Sequence, residues 1–96
     1  MTKKEVIGKM NAACMKITQD AKEAQVESDL VHCRTRTLAA IAWVETRKAE
    51  GKLYWTKEEI ASFELQIEGP VSTILHKEAE LAAHDVYYHA GNSIKW

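Results

Sequence analysis

The chain has 96 residues, 46% hydrophobic and 28% charged, with a formal charge of -1, four Gly and one Pro. That length supports one core rather than two, so a large enzyme fold is excluded and a single helical domain over 1–96 is expected. No run of about 18 apolar residues is present to span a membrane, and Val6-Ile7 is cut short by Gly8-Lys9 where a secretory signal would continue, so the expected location is the cytoplasm.

Thr2-x-x-Glu5 has the form of a capping box, which predicts a helix start. From Lys3 to Glu50 there is no Pro and the only Gly is Gly8, while Gly51 stands where a helix ends. This predicts one long helix, or two with the break at Ser28-Asp29, where Ser28 can serve as a cap. Ile7, Met10, Cys14, Ile17, Ala21 and Ala24 form an apolar seam that Val31 and Leu38 continue. Beyond Ser28 the seam drifts to Leu30, Cys33, Thr37, Ile41 and Val44. Cys14 and Cys33 are the only thiols; on one straight rod they would lie roughly 28 Å apart and could not bridge, and both read as small unpaired hydrophobes.

Gly51 to Trp55 is a turn, and Thr56-x-x-Glu59 repeats the capping box with Trp55 and Ile60 placed as a hydrophobic staple. The helix from Thr56 to Glu68 is expected to bury Ile60, Phe63, Leu65 and Ile67. Gly69-Pro70 then kinks it or restarts it, because Pro lacks the amide that the Gln66 carbonyl needs. A further helix runs to about His89, burying Val71, Ile74, Leu75, Leu81, Ala82 and Val86, with Gly91-Asn92 as its stop. The fold class is therefore all-α: a long N-terminal helix, broken near Ser28 or continuous, plus a helical hairpin interrupted at Gly69-Pro70. The later helices are too short to cover an unbroken rod. The arm before Ser28 would then project, exposing part of Ile7, Met10, Cys14 and Ile17 for self-association, whereas a break at Ser28 would let it pack home as a fourth helix.

Charge is unevenly placed. Residues 1–22 carry five Lys against Glu5 and Asp20, and residues 58–85 carry seven acids against Lys77. Opposed ends can attract within a chain, between copies or toward partners. Arg34, Arg36, Arg47 and Lys48 are offset by Glu27, Asp29, Glu45 and Glu50, so no basic footprint for nucleic acid spans the domain.

His76, Glu80 and His84 share a helical face, but the two His are roughly 12 Å apart along the axis and cannot hold one ion alone, so no metal or cofactor is expected. Asp85 and His89 read as a surface pair. No nucleophile elbow or Gly-rich phosphate loop occurs, and no enzymatic activity is expected. Thr56 to Ala61 with Val71 to Ile74 has the wording of a helix-turn-helix but not its tight spacing, and the second helix carries Glu78 and Glu80.

Tyr54-Trp55, Tyr87-Tyr88 and Trp96 are candidate partner-binding aromatics, since adjacent helical residues cannot all face inward. Gly69 and Pro70 complete that candidate set. An X-Pro bond is cheap to isomerise and slow to exchange, so Gly69-Pro70 is also a candidate switch for a host prolyl isomerase.

At Glu68-Gly69-Pro70, a lone proline between acidic helices in a chain of this length, the sequence resembles the phage-encoded anti-RecBCD proteins of lambdoid Salmonella phages. The resemblance spans the whole chain by size and character. It implies a non-enzymatic effector in the host cytoplasm that binds the host RecBCD helicase–nuclease, through RecC, and shifts its response to Chi in favour of phage recombination. Two other readings stand beside it. One is an acidic helical inhibitor of another nucleic-acid enzyme, acting through Glu58, Glu59, Glu64 and Glu68; the other is a small DNA-binding regulator.

Overall fold

The computed structural model describes residues 2–51 and 54–94, with side chains as far as residue 83. Thr2 is in an extended conformation and its hydroxyl accepts the Glu5 amide at 3.2 Å, which opens helix α1, Lys3–Glu23. A turn leads to α2, Asp29–Ala49, and a second turn to α3, Lys57–Ile94. The second capping box is reciprocal: the Glu59 amide donates to Thr56 Oγ1 at 3.1 Å and the Thr56 amide donates to Glu59 Oε1 at 2.8 Å. Two orphan amides are thereby satisfied at the start of α3.

The break near Ser28 is present, but Ser28 does not make it. Its side chain caps nothing, and the Asp29 carboxylate instead accepts the amides of Gln25 and Val26 at 3.0 and 3.2 Å. These amide donors hold Asp29 below the ordinary carboxylate range. At the other end of α2, Gly51 takes the left-handed conformation, φ 82°, and stops the helix as expected. An Ala there would meet no neighbour, so its cost would be backbone strain alone.

Gly69-Pro70 does not interrupt the second half of the chain, because α3 runs through it as one helix. Gly69 has no Cβ to clash with the proline ring, which eases the bias of a pre-proline residue away from helix. Pro70 itself falls in the buried row of Ile60, Phe63, Ile67 and Ile74 and is under 2% exposed. Packing of its ring offsets the amide it cannot supply to Gln66. No cis peptide occurs among the described residues. Nor does Gly91-Asn92 stop α3, which extends to Ile94.

Ion pairs fix the topology. Lys3 meets Glu59 at 3.0 Å, Lys48 meets Glu64 at 3.4 Å, and Arg34 Nε lies 2.9 Å from Glu78, so α3 runs parallel to α1 and antiparallel to α2. Among the described ion pairs, Lys3–Glu59 joins the basic end to the acidic one, while Glu64 and Glu78 pair with cations of α2. The basic arm does not project: Cys14 and Ile17 are buried, Ile7 and Met10 are half-buried, and the stripe expected to drive self-association belongs to the core. At about 1.5 Å per residue, α1 and α2 span roughly 31 Å and α3 roughly 57 Å, within a particle 66 × 21 × 17 Å.

The core has two parts. Cys14, Val44, Trp55, Ile60, Phe63 and Ile67 form one, at the end where α3 begins. Ile17, Ala21, Ala24, Leu30, Cys33 and Ile74 form the other. Several expected core positions lie outside both. Leu65 and Leu75 are 68% and 61% exposed, Ala82 is exposed, and Val31 and Leu38 face solvent while the Leu30–Cys33–Thr37–Val44 stripe is buried. Each exposed Leu stands well off the row that α3 turns inward, at about 100° per residue. Val86 lies outside the described side chains. No described helix is long and apolar enough to cross a membrane.

Candidate functional site

Two stripes of similar helical spacing face each other across α1 and α2. On α1 it is Val6, Lys9, Met10, Ala13, Lys16 and Ile17; on α2 it is Arg36, Ala39, Ala40, Trp43, Arg47 and Glu50. Spacing of three and four places each set along one side of its helix, and no α3 residue is in the described lining. Tyr54 and Trp55 close the end, and the whole forms an open, mainly apolar cleft of about 830 Å³.

The aromatic end is built edge to face. Trp43 lies 5.9 Å from Trp55 and 5.2 Å from Phe63, Trp55 lies 5.1 Å from Phe63, and Tyr54 lies 5.2 Å from Trp55, all near-perpendicular. Such arrangements match the positive ring edge to the negative ring face. Lys3 Nζ sits 4.7 Å over Tyr54 and 5.3 Å over Trp55, and the Arg47 guanidinium lies 5.0 Å over Trp43.

The rim is cationic. Arg36 donates to Asp20 at 2.8 Å and Lys16 reaches the same carboxylate at 3.2 Å, and these two, Arg36 foremost, hold Asp20 below its ordinary range. Arg47 pairs with Glu50 at 3.2 Å, yet its Nε is buried with no acceptor among the described residues. The described cleft lining is mostly apolar with a few charged groups at its edges, the usual make-up of a binding surface.

Of the residues expected to bind a partner, Tyr54 and Trp55 are brought together at this cleft. Tyr54 is exposed and Trp55 is mostly buried as the staple against Ile60. Gly69 and Pro70 lie elsewhere, roughly 20 Å further along α3. Pro70 is under 2% exposed in the inward row of α3, whereas Gly69 is exposed. Gly69 and Pro70 line a smaller hollow of about 320 Å³ together with Asn11, Thr18 and Gln66. Tyr87 and Tyr88 are in α3 with side chains outside the described set, and Trp96 is outside the described residues. His76 lies 3.9 Å from Glu80 on the surface; His84 is outside the described side chains. No group of three metal-ligating side chains gathers among the described residues.

Sequence reasoning missed Trp43, Ala13, Ala39, Ala40 and the four cations of the rim. The signal was available in the matched stripes: small or aromatic residues bracketed by cations at helical spacing on both α1 and α2. No family model, curated protein or solved structure matches this chain.

Proposed function

We propose that the protein is a non-catalytic binding module that holds a protein partner in the α1–α2 cleft. The observation that carries this reading is an apolar trough on the side of the α1–α2 pair that α3 leaves uncovered, with aromatics at one end and cations along both edges. The resemblance to phage anti-RecBCD proteins names the partner to test, the host RecBCD helicase–nuclease through RecC, with a changed Chi response as the outcome. The acidic-decoy reading draws less support, because Glu59, Glu64 and Glu78 are spent on Lys3, Lys48 and Arg34. A DNA-reading regulator is less favoured too, since α3 is continuous where a recognition turn would be needed.

The test uses immobilised wild type, Ala39→Trp and purified RecBCD. Ala39 is exposed and lines the cleft, so Trp there fills the trough without entering the core. The wild type is expected to bind and Ala39→Trp to bind at least about tenfold more weakly, a loss of about 1.4 kcal/mol, with an unchanged helical signal. Failure of the wild type to bind removes RecBCD as the partner. Equal binding by both removes the cleft as the site.

A further inference from the structure

Resting on the reading of the cleft as the binding site, we propose that its occupant is an amphipathic partner helix of roughly three to four turns with acidic residues flanking its apolar face. Length comes from the lining. Residues 6–17 of α1 and 36–50 of α2 give the trough walls of about 17 and 21 Å at 1.5 Å per residue. Shape comes from the floor. Ala13, Ala39 and Ala40 leave room for a backbone to approach, and α3 already occupies the opposite side, so a helix laid in the trough completes a four-helix arrangement.

Charge decides the chemistry of the flanks. Lys9 and Lys16 stand on the α1 side, Arg36 and Arg47 on the α2 side, and only Asp20 and Glu50 oppose them. Among the described residues Lys9 has no carboxylate partner and Arg47 Nε has no acceptor. An occupant with carboxylates on both edges supplies what the rim lacks, and the aromatic end accepts a large apolar anchor. Nucleic acid would satisfy the cations but not Val6, Met10 and Trp43, which are half-buried and favour an apolar face.

The experiment titrates the full chain with three helical peptides of about 14 residues that share one apolar face and carry Glu, Gln or Lys on both flanks. The Glu peptide is expected to bind about tenfold more tightly than the Gln peptide, with the advantage shrinking as salt rises, and the Lys peptide to bind weakest. Lys9→Glu should remove several-fold of the Glu advantage and leave the Gln peptide unchanged. Ala13→Trp combined with Ala39→Trp should abolish binding of all three. Equal affinity for the three peptides, still abolished by the Trp pair, overturns the acidic occupant and leaves the cleft reading standing. Binding that ignores the Trp pair overturns the cleft reading itself. Absence of peptide binding overturns the inference, and capture of a short DNA duplex instead reassigns the cations to phosphate.

Discussion

The two ends of the α1–α2 pair are packed by different means. At the end where α3 begins, Trp55 and Phe63 fill the core with Trp43 against them, and these rings stand between helices that also border the cleft. At the other end, Ala21, Ala24 and Cys33 separate the same helices around Leu30 and Ile74, and the described lining of the cleft reaches this cluster only at Ile17. Large side chains set helices apart and small ones let them approach, within the usual 8–10 Å spread of axis separations. The described cleft borders the aromatic end of this pair, and that border is what a partner can use.

The largest expected effect comes from removing the wedge. Phe63 is 1% exposed and touches both Trp rings, so Phe63→Ala should cost about 3–5 kcal/mol. Urea unfolding followed by Trp fluorescence checks this; a loss below about 1 kcal/mol would break the view that the rings anchor that end. Enlarging the small end comes next. Ala21 is fully buried, so Ala21→Leu should destabilise by about 1–3 kcal/mol, while Ala40→Leu, on the open side, should change stability far less. Equal costs at both positions would mean that the two ends are packed alike.

A smaller effect concerns acid. Asp20, Asp29 and Glu59 are all held below ordinary carboxylate values, Asp29 and Glu59 chiefly by backbone amides and Asp20 chiefly by Arg36. Their contribution is complete above about pH 4.5 and is lost as pH falls through their lowered values, because the unfolded chain takes up protons first. Thermal midpoints measured from pH 7 to pH 3 should therefore decline, and Asp29→Asn should flatten the part of the decline that belongs to the turn at the alanine end.

Much of the fold was legible because local signals agreed with the final packing. Both Thr-x-x-Glu boxes, the Trp55–Ile60 staple and the stop at Gly51 are decided by residues within one turn of each other. The errors arose where tertiary context chose between local options. Pro70 reads as a breaker until its ring is seen filling the row of Phe63, Ile67 and Ile74, and Leu65 and Leu75 read as core until the inward row of α3 is fixed. Ser28 leaves the start of α2 without a side-chain cap, and Asp29 instead holds the preceding turn by accepting two of its amides at once. The cleft was the least legible part. Ala13, Ala39, Lys9 and Lys16 look like an ordinary solvated face until two helices bring them opposite each other, and Tyr54 and Trp55 were recognised only for their residue types.

The two thiols acquire a use from this division. Cys14 is buried in the aromatic cluster on the wall of the smaller hollow, and Cys33 in the alanine cluster, each unpaired. Burial raises the Cys14 pKa and so suppresses its thiolate. An alkylating reagent reaches Cys33 when the helices around it part, whereas Cys14 is also approached from the smaller hollow, so the two thiols report on different openings of the chain.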